Sequence, residues 1–173
     1  YESRQLRKAA TEAGVMTQMG TQLASSTADL TISAWVQSGV AGRIVAVHSF
    51  SHKTWGDPAP LPTGRTDPAP ESLDWNLWNG VVDPVTFLKG YYHPSQWRKR
   101  IPFGTGTLGD MGCHMFNGWF RSLKLDAPLS IRSEGPAPGD NWAIDGEIHY
   151  TFPGNDLTAG KTVEVTWPRT DSR

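Results

Sequence analysis

Five prolines, Pro58, Pro60, Pro62, Pro68 and Pro70, crowd the stretch from Gly56 to Ser72. Proline lacks an N–H donor and fixes φ, so neither a helix interior nor a central strand can run there. A loop longer than about 12–15 residues inside a compact domain usually carries function or is disordered. Eight tryptophans in a chain of 173 residues argue for order, because disordered chains are poor in large aromatics. The chain is therefore expected to be a folded domain with long, proline-punctuated loops. Such loops, set on a rigid scaffold, are where binding and catalytic groups concentrate.

The length corresponds to one domain. A formal net charge of -1 speaks against a nucleic-acid or anionic-membrane binder, which needs a basic excess to meet phosphates. No apolar run approaches the ~18 residues of a membrane-spanning helix. A single cysteine excludes an intrachain disulfide and a multi-cysteine zinc site. It suits reducing and oxidising compartments alike, so localisation stays open between cytoplasmic and exported.

Leu6, Ala9, Ala10 and Ala13 share one face of a helix predicted over Tyr1 to Ala13. Gly14 stops it, and a short strand is expected over Val15 to Met19. Ser25 and Ser26 cap a second helix running to Ser38, with Ile32, Trp35 and Val36 at i, i+3, i+4. Ile44 to Phe50 alternates as a strand, Val45 and Val47 on one side and Ile44, His48 and Phe50 on the other. Beyond the proline-rich loop, Trp75 and Trp78 predict a short helical turn. Trp97-Arg98-Lys99-Arg100, the one basic cluster, is expected on a solvated face.

A third helix is predicted from about Leu108 to Leu123, broadly apolar and largely buried. Strands are expected over Leu129 to Ser133, Gly146 to Phe152 and Thr162 to Trp167. The class is α+β, with an open, mainly antiparallel C-terminal sheet packed on helices.

Asp110 and His114 are the sharpest chemical feature. At i, i+4 both side chains lie on the same helix face, and a carboxylate beside an imidazole orients it for proton transfer. Gly104-Thr105-Gly106-Thr107 before them would let a ligand approach the backbone closely. An Asp in a first helical turn also favours the helix dipole with no catalysis, and a His on an apolar helix is often a core residue. Cys113 and His114 point about 100° apart, so with His93 they make a poor metal site, and no metal is expected. No phosphate-binding GxGxxG or GxxxxGK[ST] run is present.

Tyr92-His93-Pro94, Trp97-Arg98 and the run Phe103-Gly104-Thr105-Gly106-Thr107-Leu108-Gly109-Asp110-Met111-Gly112-Cys113-His114 closely resemble a segment of the Gfo/Idh/MocA oxidoreductases, the glucose–fructose oxidoreductase and inositol dehydrogenase superfamily. Leu73-Asp74-Trp75-Asn76-Leu77-Trp78-Asn79-Gly80 is similar to another element of that family. So are Ser38-Gly39 to Val47, Phe152-Pro153 and Val165-Thr166-Trp167. Glu12-Ala13-Gly14-Val15 with Thr17-Gln18-Met19-Gly20 resembles the last helix and strand of its nucleotide-binding domain. Thr21 and Pro102 depart from the pattern, standing where relatives carry Asn and an acid.

The resemblance implies an NAD(P)-dependent enzyme that transfers hydride between nicotinamide and a sugar or polyol carbon. By it, residues 1–20 are the remnant of a Rossmann domain and residues 21–173 much of the C-terminal substrate domain. His114 becomes the general acid–base, with Asp110 orienting it or binding a substrate hydroxyl. Gln22 falls near the cofactor, and Trp75, Trp97, Arg98 and Thr105 near the substrate. The family's glycine-rich cofactor loop and its lysine correspond to sequence ahead of Tyr1, so this chain alone is expected to be inactive and to bind NAD or NADP weakly. Expected partners are the sugar or polyol, the Rossmann domain and further copies of the chain through the sheet. A non-catalytic carbohydrate-binding domain, resting on Trp55, Trp75, Trp78 and Trp97, and an oligomerisation domain are the alternatives.

Overall fold

A computed structural model describes residues 1–144 and 146–169; residues 145 and 170–173 of the expected second domain, 21–173, lie outside the described residues. Helix α1 runs Glu2–Ala13 and closes on Gly14, whose φ of 64° is the left-handed conformation that glycine adopts without penalty. It buries none of its residues, and Leu6 is 72% exposed, so among the described residues no element packs on the Leu6–Ala9–Ala10–Ala13 stripe. The strand expected over Val15 to Met19 is absent. A strand exists only through a partner's backbone groups, and the segment finds none; Met16 and Met19 stand in solvent.

Helix α2, Thr27–Gln37, begins at Ser26, whose hydroxyl accepts from the Asp29 N–H at 3.2 Å. It packs on helix α4, Gly106–Ser122. Small residues let the two approach: the Ser33 and Ser122 hydroxyls meet at 2.9 Å in the buried seam, and Gly118 faces the Asp29 carboxylate. Val36 joins the core, whereas Ile32 and Trp35 of the expected face remain half exposed.

Strands β1 (Ala46–His48), β2 (Ser130–Glu134), β3 (Glu147–Pro153) and β4 (Thr162–Trp167) form one open sheet in the order β1-β4-β3-β2. Only the β1–β4 pair is parallel, so the mainly antiparallel α+β expectation is met. Val163 and Val165 of β4 and Phe152 of β3 point inward with Val36, Leu123 and Leu125 to make the core. The alternation expected across Ile44 to Phe50 breaks. Ile44 bridges to Thr158, while β1 proper begins at Ala46 opposite Glu164. The change of partner turns Ile44 and Val47 to the core together and leaves Val45 exposed.

Helix α4 contains Gly106, Gly109, Gly112 and Gly118, each about 1 kcal/mol less favourable than alanine in a helix. Its stability therefore comes from tertiary contacts rather than propensity. Contrary to the expectation of a largely buried helix, most of its side chains are half-buried. They cover one sheet face, where Phe116 meets Tyr150 and Trp167 edge-on.

The proline-rich stretch carries no helix or strand, as expected. Beyond it, helix α3 (Trp75–Asn79) starts at Asp74, which accepts from the Leu77 N–H at 2.9 Å. Trp75, Trp78, Phe87, Tyr92 and Phe103 form a second, wholly aromatic cluster here.

Candidate functional site

Helix α4 is the spine of the site. Thr107, Asp110 and His114 are spaced i, i+3, i+7, which places them on one stripe of the helix. Gln96–Lys99 forms a single 3-10 turn that packs against this helix. It brings Arg98 to Asp110, Nε to Oδ1 at 2.9 Å, with both side chains mostly buried. The Arg98 guanidinium lies 4.5 Å from the Trp97 ring centroid and 5.2 Å from that of Trp55. Stacking of this kind suits arginine's weakly hydrated planar cation. Trp55 is itself anchored to the stripe, its backbone N–H donating to Thr107 Oγ1 at 2.8 Å.

The expected relay from Asp110 to His114 is thus divided between two partners. Asp110 takes Arg98, and no hydrogen bond joins it to His114 among the described residues. His114 Nδ1 instead lies 3.2 Å from the Gln22 carbonyl oxygen. When Nδ1 carries the proton and donates to that carbonyl, Nε2 is left as the basic nitrogen. Gln22, expected near a cofactor, contributes its backbone here rather than its side chain.

The glycines ahead of Asp110 serve this packing. A Cβ on Gly104 would come within 2.5–2.7 Å of the Arg98 backbone, and one on Gly106 within 2.9 Å of Trp142. The close approach expected for a ligand is occupied by the chain itself. Thr105 precedes α4 without capping it through its side chain, which fills the space beside Gly109. Thr105 also lines a cavity of about 310 Å³ with Leu108, Trp142, Ile144, Ile148 and Trp167. Asp110 and His114 take no part in that lining.

The expectation about the basic cluster is corrected. Trp97 to Arg100 is not a solvated face: Arg100 is 2% exposed. It donates to Asp57 Oδ2 at 3.1 Å, to Asn141 Oδ1 at 2.7 Å and to the Tyr91 carbonyl at 3.0 Å. A buried guanidinium needs such partners, because stripping it of water is costly. Asn141 passes the link on to the Ala59 carbonyl at 2.6 Å, tying the proline-rich loop down. Trp75, half-buried, is largely engaged by its own chain. Its indole N–H donates to the Val85 carbonyl at 2.7 Å, one side stacks on Trp78 at 4.7 Å, and Phe87 meets it edge-on.

Trp55 was not signalled by any motif, yet it shares the Arg98 clamp. Its indole nitrogen is buried without a hydrogen-bond partner. The spacing of Thr107, Asp110 and His114 is the one sequence signal that leads to this stripe. Burial pushes the Tyr92 and Tyr150 phenols above their ordinary pKa; in Tyr92 the nearby Arg100 cation partly offsets it. Among the described residues, no three His, Cys, Asp or Glu side chains gather as metal ligands. Among the described residues no helix is long and apolar enough to cross a membrane.

No protein-family model and no curated protein matches the chain.

Proposed function

We propose that this chain is the substrate-facing part of an NAD(P)-dependent oxidoreductase acting on a CH–OH carbon of a sugar or polyol, with His114 as the general acid–base. The observation that supports it most is the His114–Gln22 contact. A backbone carbonyl on Nδ1 fixes the tautomer and leaves Nε2 to take a hydroxyl proton as the carbonyl forms, and to return it in reduction. Asp110 and Arg98 then supply an acceptor and donors for neighbouring hydroxyls, and Trp55 and Trp97 wall the site. The motif run from Phe103 to His114 is the second support.

The residues described here do not fit a dinucleotide. None of them forms a strand, glycine-rich turn and helix in succession around a phosphate site, and the two glycines tested above are filled by Arg98 and Trp142. In this proposal the cofactor is held by the nucleotide-binding domain that the family resemblance implies. The carbohydrate-binding alternative draws less support, since Trp75 and Trp78 stack on each other and Trp55 and Trp97 cover Arg98.

Assembly through the sheet belongs to the same proposal. The face turned away from α4 carries Ala46, His48, His149, Thr151, Glu164 and Thr166, so such an interface would be polar. Light scattering after size exclusion checks it; a strict monomer at high concentration removes it.

Turnover of sugars by the two-domain protein, followed by NAD(P)H absorbance, tests the central reading. His114→Ala is expected to lower kcat by about 10²–10⁴ without lowering the melting temperature, the usual cost of losing acid–base help. Near wild-type turnover removes His114 from the mechanism. Calorimetric titration of this chain with NAD(H) and NADP(H) is expected to show no saturable binding; micromolar binding would overturn the placement of the cofactor site elsewhere.

A further inference from the structure

We propose that the outer edge of Arg98 binds an anionic group of the substrate, so that the substrate class is an acidic sugar rather than a neutral one. The inference rests on the oxidoreductase reading above and names its substrate more closely.

Arginine carries five N–H donors in one plane. In Arg98 only the Nε donor is taken, by Asp110 Oδ1 at 2.9 Å. Nη1 and Nη2 make no hydrogen bond among the described residues, although the side chain is only 29% exposed. The guanidinium carbon lies over two indole rings, 4.5 Å from the Trp97 centroid and 5.2 Å from that of Trp55. The two Nη groups remain available, and together they can donate two parallel hydrogen bonds. That geometry matches the paired oxygens of a carboxylate or phosphate.

The clamp also fixes the guanidinium in advance, so little conformational freedom is lost when an anion docks. The Gly104 position, closed against the Arg98 backbone, holds the other end of the residue. Asp110 does not cancel the attraction. It sits at the Nε side, and an anion at the Nη edge lies closer to the cation than to that carboxylate, so attraction exceeds repulsion. The buried indole N–H of Trp55, whose ring lies against the same guanidinium, has no acceptor among the described residues. His114 stands one turn along the helix from Asp110, near enough for the stripe to serve an anchored substrate.

Isothermal titration of the whole chain with D-glucuronate, D-glucose 6-phosphate and D-glucose tests the proposal. At least one anion is expected to bind saturably and about tenfold or more tighter than glucose, with affinity falling as salt rises. Which anion binds tells carboxylate from phosphate. Arg98→Lys keeps the charge and loses the planar fork; it is expected to lower the affinity for that anion about tenfold and to lower the affinity for glucose by a smaller factor.

Equal affinities for anion and glucose overturn the proposal, as does the absence of saturable anion binding. So does a folded Arg98→Lys protein that binds the anion as tightly as the wild type. Should Arg98→Lys not fold, the wild-type preference and its salt dependence decide alone. NAD(P)-linked turnover in the two-domain protein is a separate readout. Anion preference without turnover keeps this subsite and sinks the oxidoreductase reading; turnover of neutral sugars without anion preference sinks the subsite alone.

Discussion

Arg98 and Asp110 meet at 2.9 Å, Nε to Oδ1, so the carboxylate four residues before His114 is held by a 3-10 turn and not by the imidazole. The two side chains are 29% and 23% exposed. That places the pair between an exposed ion pair, at about 0–1 kcal/mol, and a fully buried one, whose breaking costs about 3–5 kcal/mol. Arg98→Met and Asp110→Asn are each expected to destabilise by about 1–3 kcal/mol in urea unfolding. A double-mutant cycle should return a coupling of about 1 kcal/mol. A coupling near zero would show that the two residues act independently.

Arg100 is a buried cation whose loss should be costly. Replacement by methionine leaves Asp57, Asn141 and the Tyr91 carbonyl without their shared donor. The expected loss is about 3–5 kcal/mol, because the Asn141 carbonyl oxygen loses its donor and the Asp57 carboxylate, which keeps the Ala59 N–H, loses its cation. For a domain of this size that lowers Tm by roughly 6–20 °C. The proline-rich loop should also become an early site of proteolytic cleavage, since Asn141 reaches it through Ala59. An unchanged Tm would mean that the knot around Arg100 does not support the fold.

Trp75 carries stability rather than recognition. Trp75→Ala is expected to cost about 3 kcal/mol or more, as a large aromatic leaves a packed cluster. Sugar binding by the surviving folded fraction should be unaltered. A variant of wild-type stability with impaired sugar binding would return Trp75 to the site.

Alkaline pH should weaken the fold through two phenols. Burial raises Tyr92 and Tyr150 above the ordinary value of 10.0, so the folded state keeps the proton that the unfolded chain releases. Their contribution is complete below pH 10 and is lost as pH rises through the folded-state values. Urea midpoints should fall as pH rises above ~10, the unfolded-chain pKa. Tyr150→Phe should flatten that fall; an identical slope in the variant would contradict the cause given.

Local signals were sufficient for most of the elements. Ser26 and Asp74 supply a side-chain acceptor at a helix start, and Gly14 supplies the left-handed stop of α1; each acts over three or four residues. Alternation over β2, β3 and β4 was legible for the same reason. Val15 to Met19 failed because no local pattern shows whether a partner strand exists. Ile44 to Phe50 failed in its facing because the register changes where Thr158 gives way to Glu164 as the partner.

For the site, the sequence by itself determined that Asp110 and His114 lie on one helix face, since 3.6 residues per turn leaves no alternative. It also determined the proline-rich loop, because proline denies the backbone a donor wherever it stands. Only the tertiary structure decided who pairs with whom. Arg98 and Arg100 are two residues apart in one basic run, yet one clamps Asp110 between two indoles and the other is buried among Asp57, Asn141 and Tyr91. Charge and spacing are the same for both before folding. The difference comes from which long-range acceptors the packed loops bring within hydrogen-bond distance, and that is a property of the assembled chain.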